Sequence, residues 1–580
     1  MNKNINTSGV KLLDCYPAKA QYDSGSKVTL LLELQNGTGG ECAVTVRCTV
    51  WELDAVAEQR EWELALPVGD APVRHRMEVG PFVADRMGYG VEVELLADGA
   101  VAGRAATAFD VVSDWRRAPR YGFLSDFGTE ELGDRSDVEW MAKLHLNLVQ
   151  FYDWMYRHDE LVSDEGEYTD LMGRKVSRPV VEEKIALCRE HGMKAIAYGA
   201  VYAASKTFAD RHPDWRLYTS AGEPYDFIGI FNIMNISPDS PWHRHIVQQY
   251  RETVERLNFD GIHMDTYGFP KTGWSRLGGT PRLERLEEQF PLLIEATREE
   301  LTQVKEDICL IFNNVGNWPV GTVATANQDA IYVEVWKPYE RYHHLREIIH
   351  AANLHSGGKP VILAAYLKPF REPGALGEAG AEHAFRLLNA AVTAQGAYHL
   401  LHGEHGGVLT QGYYVDYSKL RAGFMRIVRD YADFGVRYGH VLHDERLRDV
   451  SMTHADGDNL EYSFSGFPYS TYGEAGKVWT VIREHPGLKL IHFINLAASS
   501  DDYWNESKEA PREIHGRTVS VAVDGEVAAV LLATPDARDG APLRLDYREE
   551  ITARGRCLVM ELPALLYWDM LIVRMKDDGR

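Results

Sequence analysis

Two carboxylic acids stand at the ends of short apolar segments in the middle of the chain. Asp265 ends the segment that begins at Gly261, and Glu334 ends the segment that begins at Ala330. If both segments are β-strands, their side chains alternate between two faces, so His263 and Asp265 share one face of their strand. An unpaired ionisable group that faces an apolar interior costs free energy. We therefore expect two such groups at strand ends to have a catalytic role rather than to stabilise the fold.

Paired carboxylates are suited to glycoside hydrolysis, in which one acid ionises to attack the anomeric carbon and the other stays protonated to release the leaving oxygen. Two alternatives remain open: the acids could brace the fold through salt bridges, or Asp265 and His263 could bind a metal ion. The sequence contains no HExxH, GxSxG, GxGxxG or Walker phosphate-binding motif. We therefore predict neither a cofactor nor a metal ion.

Aromatic and polar side chains crowd the ends of these and neighbouring apolar segments. Sugar rings present C–H faces that pack on aromatic side chains, while their hydroxyl groups need hydrogen-bonding partners. Roughly half of the aromatic residues could instead belong to the core. The predicted sugar-binding residues are Tyr152, Trp154, His263, Tyr267, Asn313, Asn314, Trp336, Tyr366, Glu404 and Tyr414.

Eight apolar segments alternate with amphipathic helices from Tyr121 onward, which predicts a parallel sheet closed into a (β/α)8 barrel, the TIM barrel. Ser240 followed by Pro241 predicts the start of one helix, and Gly357 predicts the end of another. Active sites in such barrels lie at the carboxyl ends of the strands, where both acids stand. The predicted strands are YGFLSDF from Tyr121, LNLVQFYDW ending at Trp154, KAIAYGAVYA from Lys194, GIHMDTYG from Gly261, CLIFNNVGNW from Cys309, AIYVEVW ending at Trp336, PVILAAYL from Pro360 and GAYHLLHG from Gly396.

The segments on either side of this barrel contain β-forming runs without helices between them. Four runs precede the barrel, within residues 28–34, 43–53, 89–96 and 105–112, and four follow it, namely VWTVIREH, LKLIHFINL, TVSVAVDG and EVAAVLLATP. We therefore predict a multidomain α/β plus β protein. Its parts are an N-terminal immunoglobulin-like β-sandwich over residues 1–115, a catalytic barrel over 116–446 and a C-terminal β-sandwich over 447–580.

The charge balance restricts the partners of this protein. Its 580 residues include 62 Lys and Arg against 85 Asp and Glu, a formal net charge of −23. Nucleic acids and anionic membranes bind clustered cations, so we exclude both as partners and expect a neutral substrate. The N-terminal residues lack the apolar core of a signal peptide. We expect a cytoplasmic protein, or a secreted one if this chain is a trimmed form; the oligomeric state is not indicated.

Several of these segments resemble glycoside hydrolase family 66, which contains endo-dextranases and cycloisomaltooligosaccharide glucanotransferases. The resemblance implies a retaining double displacement on α-1,6-glucan, with Asp265 as the nucleophile and Glu334 as the acid/base. It also implies that Asp153 holds sugar hydroxyls next to the cleaved bond; an ion pair with Arg157 or His158 is the alternative. The matching motifs are YGFLSDF at Tyr121, QFYDWMYRHDEL at Gln150, FDGIHMDTYG at Phe259, AIYVEVW at Ala330 and LLHGEHGGVLTQGYYVDY at Leu400.

One departure from the family pattern bears on the activity. The cyclising members carry a carbohydrate-binding domain after the seventh strand, and the segment from Tyr366 to Ala384 is too short to contain one. This favours a dextranase-like endo-hydrolase acting on dextran or isomaltooligosaccharides. The alternatives are a cycloisomaltooligosaccharide glucanotransferase and, outside the enzymes, a carbohydrate-binding protein with an inactive barrel.

Overall fold

The computed structural model of this protein describes residues 9–576. Within that range, eight parallel strands form one sheet in which sequential strands are neighbours throughout. A parallel bridge between Phe123 and Gly403 places the chain beyond the eighth strand beside the first, so that the sheet nearly closes. Every predicted barrel strand is present. The strands are Tyr121–Leu124, Leu148–Phe151, Lys194–Ala200, Gly261–Asp265, Cys309–Val315, Ala330–Glu334, Val361–Ala364 and Tyr398–His399.

Helices follow the barrel strands and cover the outside of the sheet. The Ser240 side chain accepts a hydrogen bond from the backbone N–H of Trp242, and Gly357 adopts a left-handed conformation after a helix, as predicted. The helices are Ser136–Lys143, Arg178–Glu190, Lys206–Arg211, Pro241–Leu257, Leu286–Thr302, Val320–Val323, Tyr342–Ser356, Gly377–Ala394, Ala422–Arg437 and Gly439–Leu442. No helix of the described residues is long and apolar enough to cross a membrane.

Two antiparallel sheets precede the barrel and pack around an apolar core of their own. Four of these seven strands contain the runs predicted from the sequence, and three were not predicted, including Ala55–Leu66 and Gly69–Val79. Both of these lie at sheet edges and are largely exposed, so charged residues dilute their apolar alternation. One sheet contains Val10–Pro17, Val28–Asn36 and Gly69–Val79, and the other contains Ala55–Leu66, Cys42–Glu52, Met87–Ala97 and Ala100–Val111.

Two further sheets follow the barrel and enclose a third apolar core. The opposite face of the larger sheet packs on the barrel, where Trp479 and Trp568 join the barrel core. The larger sheet contains Arg448–Asp449, Tyr469–Ser470, Val478–His485, Leu488–Asn495, Trp568–Met575, Val527–Ala533 and Leu543–Arg544. The smaller contains Tyr462–Ser465, Arg517–Ala522, Gly555–Leu562 and Arg548–Thr552. The domain boundaries at 115/116 and 446/447 stay predictions, and the first eight residues, part of the segment examined for a signal peptide, lie outside the described range.

Short strands in the loops at the carboxyl ends of the barrel strands build a rim. Within the described residues, the connection between the seventh strand and helix Gly377–Ala394 contains only single helical turns, Lys368–Phe370 and Gly374–Leu376. As the sequence indicated, it holds no inserted domain. The rim strands are Glu167–Thr169 with Lys175–Ser177; Ala203–Ser205, Phe231–Ile233 and Asp226–Phe227; Leu217–Tyr218, Thr272–Ser275 and Arg282–Arg285; and Gly407–Val408 with Ser418–Lys419.

Candidate active site

A cavity of about 410 Å³ opens at the carboxyl end of the barrel, and both predicted catalytic acids line it. Asp265 is the last residue of the fourth strand and Glu334 the last residue of the sixth. His263, two residues before Asp265, lines the same cavity, as strand alternation predicts. Eight of the predicted sugar-binding residues also line it, namely Tyr152, Asp153, His263, Tyr267, Asn313, Trp336, Tyr366 and Tyr414.

The amide of Asn313, on the fifth strand, lies between the two carboxylates. Its Nδ2 donates hydrogen bonds of 2.7 Å to Asp265 Oδ1 and 3.1 Å to Glu334 Oε2. Because both bonds share one nitrogen, these two carboxyl oxygens lie less than about 6 Å apart. The two acids therefore face a common point.

Each carboxylate also accepts a hydrogen bond from a tyrosine hydroxyl. Tyr198 donates to Asp265 Oδ2 at 2.7 Å, and Tyr366 donates to Glu334 Oε1 at 2.8 Å. Burial and repulsion from Glu334 nevertheless raise the pKa of Asp265 to about 7, and burial raises the pKa of Glu334. Because like charges so close resist ionising together, ionisation of one carboxylate makes ionisation of the other more costly.

The histidines of the cavity are neutral. Burial lowers the pKa values of both His263 and His158 to about 3, and His263 Nδ1 lies 2.9 Å from the hydroxyl of Tyr121. Among residues 9–576, the side-chain groups close enough to share a metal ion include neither Asp265 nor His263. One such group consists of Asp126, Glu404 and His405, which are not among the residues that line the cavity.

Aromatic rings form two walls of the cavity. Tyr152 stacks on Tyr414 with ring centroids 4.4 Å apart, and Tyr267 stacks on Phe227 at 4.0 Å. Trp336 lies at the rim with 41% of its surface exposed. The C–H faces of a sugar ring can pack on these aromatic faces, and the sugar hydroxyl groups can bond to the tyrosine hydroxyl groups at their edges.

Asp153 lies in the cavity wall in a left-handed conformation, with φ of 51°. Burial raises its pKa to about 7, although the guanidinium of Arg174 lies 4.0 Å away and opposes this shift. Arg157 instead packs on the ring of Tyr156. The ion pair considered for Asp153 thus exists, but its partner is Arg174 and neither Arg157 nor His158.

Three predicted sugar-binding residues do not line the cavity. Trp154 is 1% exposed and packs against Phe259, and its indole N–H donates to the backbone oxygen of Tyr198. Asn314 follows Asn313 in the same strand and must point to the other face, where it donates to the backbone oxygen of Tyr332.

Glu404, the third of these residues, is fully buried beside the end of the first barrel strand. It accepts hydrogen bonds from the backbone N–H and the hydroxyl of Ser125. It therefore fastens the chain beyond the eighth strand to the first strand, where the barrel nearly closes. Proximity to strand ends in the sequence did not distinguish these three buried residues from true cavity residues.

Several other residues line the cavity that were not predicted from the sequence. Tyr198 pairs in register with His263 on the neighbouring strand, so extending the alternation argument to the third strand would have placed it at the site. Gln150 on the second strand lines the cavity with a buried Oε1 that has no hydrogen-bond partner. Met172 and Ile228 reach the cavity from rim loops, and no strand periodicity could have located them.

Comparisons with known proteins show one family match over most of the chain. The sequence model described as glycosyl hydrolase family 66 matches residues 17–572. A cycloisomaltooligosaccharide glucanotransferase of Niallia circulans is 22% identical over 701 residues, covering 96% of this chain and 71% of that protein. A dextranase of Streptococcus salivarius is 22% identical over 611 residues, covering 92% of this chain and 73% of that protein.

Solved structures share the fold. A Paenibacillus sp. cycloisomaltooligosaccharide glucanotransferase complexed with cycloisomaltoheptaose superposes with a TM-score of 0.88 at 21% identity, over 97% of this chain and 100% of that chain. A maltogenic α-amylase, AmyB, from Thermotoga neapolitana has a TM-score of 0.51 at 10% identity, over 79% of this chain and 99% of that chain. At these identities the likeness shows the architecture alone.

Proposed function

Because this chain belongs to glycosyl hydrolase family 66 and is a glycoside hydrolase, we propose that it cleaves α-1,6-glucosidic linkages of dextran or isomaltooligosaccharides, within the chain and with retention of configuration. The names of its relatives, a dextranase and cycloisomaltooligosaccharide glucanotransferases, support the substrate class. The cavity supports it as well, because its aromatic walls and neutral histidines suit an uncharged sugar.

The retaining mechanism is supported above all by the Asn313 amide nitrogen, which donates hydrogen bonds to both Asp265 and Glu334. Retaining pairs stand about 5–5.5 Å apart, whereas inverting pairs stand about 6.5–9.5 Å apart to leave room for a water molecule. Carboxyl oxygens bridged by one nitrogen favour the shorter class. Repulsion between two close carboxylates favours the state that this mechanism requires, in which one acid is ionised and the other protonated.

The two acids divide the reaction between them. Asp265 attacks the anomeric carbon while Glu334 donates its proton to the leaving glycosidic oxygen, which forms a covalent glucosyl-enzyme. Glu334, now ionised, takes a proton from water, and that water releases the sugar from Asp265. Tyr198 and Asn313 donate to Asp265, which stabilises its ionised form before attack and as a leaving group.

Substitution of the two acids tests this division of labour. We expect Asp265→Asn to abolish release of reducing ends from dextran. Glu334→Gln should lower that activity by a factor of about 10²–10⁴. The same variant should still form the glucosyl-enzyme from an aryl glucoside, because that leaving group needs no protonation. Proton NMR of the first products should show the α anomer. A β product, or full activity in either variant, would exclude the proposed mechanism.

Transglucosylation to cyclic isomaltooligosaccharides is the second candidate. Relatives named as glucanotransferases favour it, and the same glucosyl-enzyme would serve, because a sugar hydroxyl can replace water. The short connection after the seventh strand favours hydrolysis. Chromatography of the products decides between them: cyclic products lack a reducing end, and we expect linear products with reducing ends.

A further inference from the structure

Three buried tyrosine hydroxyl groups form a chain of hydrogen bonds that ends on Glu334. Tyr366 donates a 2.8 Å hydrogen bond to Glu334 Oε1. The hydroxyl of Tyr414 lies 3.1 Å from that of Tyr366, and the hydroxyl of Tyr332 lies 2.9 Å from that of Tyr414. Each of the three side chains is at most 3% exposed. The chain therefore runs from the interior of the barrel to one oxygen of the proposed acid/base.

The three tyrosines of this chain come from three different elements. Tyr332 lies two residues before Glu334 on the sixth strand and so shares its face. Tyr366 lies just after the seventh strand, and Tyr414 begins a helical turn beyond the eighth strand. The ring of Tyr414 is fixed by its stack on Tyr152, with centroids 4.4 Å apart. Tyr332 is not among the residues that line the cavity, so it can affect Glu334 only through the other two hydroxyl groups.

The direction of each hydrogen bond in the chain follows from a count of hydrogens. A tyrosine hydroxyl carries one hydrogen, and Tyr366 uses its own on Glu334. The hydrogen between Tyr366 and Tyr414 therefore belongs to Tyr414. By the same count, Tyr332 donates to Tyr414. All three hydrogens thus point toward Glu334 Oε1.

Reversal of this chain would leave a buried donor without an acceptor. If Glu334 Oε1 carried a proton, it would donate to Tyr366, and all three hydroxyl groups would have to turn. Among residues 9–576, the Tyr332 hydroxyl has no hydrogen-bond partner other than Tyr414, and an unsatisfied buried donor is costly. A proton on Oε2 instead weakens one longer bond, the 3.1 Å bond from Asn313, and leaves the chain as it is.

We propose that the tyrosine chain keeps Glu334 Oε1 as an acceptor and so places the transferable proton of the acid on Oε2, the oxygen on the side of Asp265. The inference rests on the proposed function, in which Glu334 protonates the leaving glycosidic oxygen. When Oε2 gives its proton to that oxygen, no hydroxyl group has to turn, so the donors are oriented in advance. Tyr414 and Tyr332 are positioning residues, because each donor polarises the next and strengthens the bond from Tyr366.

The other groups around Glu334 do not supply this effect. Asn313 and the indole of Trp336 are neutral donors to the carboxylate. Burial raises the pKa values of all three tyrosines, so their hydroxyl groups keep their hydrogens across the neutral range. A tyrosine variant therefore changes hydrogen bonds and not charge. Within the described chain, the titratable groups that face Glu334 are Asp265, Tyr332, Tyr366 and Tyr414.

Infrared titration of the carboxyl C=O band, assigned by its loss in Glu334→Gln, follows the proton of Glu334 without substrate. We expect Tyr414→Phe to move this band to higher wavenumber, because Oε1 remains the carbonyl oxygen and accepts a weaker hydrogen bond. The pKa of Glu334 should rise by about 0.2–0.5 unit, and the basic limb of kcat/KM should move up equally. Tyr332→Phe, which leaves the cavity lining intact, should shift the band and the limb in the same directions by less.

Tyr438→Phe is the matched control. Tyr438 is a fully buried tyrosine outside the cavity, and its hydroxyl donates at 2.8 Å to the backbone oxygen of Gly540. Neither the band nor the limb should move in this variant. The chain would be refuted if Tyr414→Phe left the band and the pKa of Glu334 where Tyr438→Phe leaves them. If the parent protein released no reducing ends from dextran, the proposed function would fail, and the infrared shift would still decide whether the chain controls the proton.

Discussion

Substitution of Tyr198 by phenylalanine removes one hydroxyl group from the site while keeping the ring that fills the wall. That hydroxyl donates a 2.7 Å hydrogen bond to Asp265 Oδ2 and stabilises the ionised form of Asp265, the proposed nucleophile. A hydrogen bond to a charged group contributes about 1.5–3 kcal/mol, and each pKa unit corresponds to about 1.4 kcal/mol. Loss of this bond should therefore raise the pKa of Asp265 by about one to two units.

The pH profile of kcat/KM measures this shift. The proposed mechanism needs ionised Asp265, whose pKa is raised to about 7 in the native protein. The acidic limb of the profile should therefore move up by about one to two units in Tyr198→Phe. At pH 7, where half of Asp265 is ionised in the native protein, the activity should fall by about five- to fiftyfold, and at higher pH part of it should return. Because ionisation of Asp265 is coupled to that of Glu334, the apparent pKa of the acidic limb belongs to the pair of carboxylates and not to Asp265 alone.

Tyr250→Phe provides the matched control. Tyr250 is also a buried tyrosine, but its hydroxyl donates at 3.2 Å to the backbone oxygen of Gly199 and it does not line the cavity. We expect a small loss of stability and an unchanged pH profile. If Tyr198→Phe lowered activity equally at every pH, or shifted the limb no more than Tyr250→Phe, the hydroxyl would not control ionisation of Asp265.

Three further predictions follow from the same contacts. Folding raises the pKa of Asp265, so the free energy of unfolding falls as pH rises from about 4 to about 7. Asp265→Asn should therefore raise the thermal unfolding midpoint at about pH 8 and not at about pH 4. Equal effects at both pH values would contradict this reasoning. Trp336→Ala should raise KM about tenfold with little change in kcat, and a fall in kcat alone would remove Trp336 from substrate binding. Burial and repulsion from Asp126 raise the pKa of Glu404 to about 8, so Glu404→Gln should raise the midpoint at about pH 8 but not at about pH 4. KM should be unchanged at every pH, and a raised KM would restore Glu404 to the sugar site.

The barrel could be predicted because its signals are local. Each strand is a short apolar segment, each is followed by an amphipathic helix, and the ends of several helices carry Ser, Pro or Gly at the expected positions. The strands that were missed, such as Ala55–Leu66, are exposed on their outer faces and therefore lack the alternation on which prediction depends. The family resemblance found in the motifs is confirmed by the match over residues 17–572.

The carboxylates could be placed because the side-chain period of a strand is two. The same rule distinguishes Asn313, which bonds to both acids, from Asn314, which bonds to a neighbouring strand. It fails for residues beyond the strand ends, because a loop has no fixed period. Trp154 and Glu404 lie beyond strand ends and were assigned to the site, yet each has an internal backbone partner that only the folded chain supplies.

The contacts of Asp265 also explain why the site is costly to fold. Its carboxylate accepts hydrogen bonds from Tyr198 and Asn313, yet burial and the nearby Glu334 still hold its pKa near 7. These hydrogen bonds thus offset only part of the free-energy cost of burying an ionised carboxylate beside Glu334. The part that they do not offset favours a protonated carboxyl group at neutral pH. A third donor would ionise Asp265 more fully and stabilise the protein, but it would make the nucleophile less basic and so less reactive. The balance between these donors and the second carboxylate therefore places the pKa of Asp265, the proposed nucleophile, in the neutral range at the expense of stability.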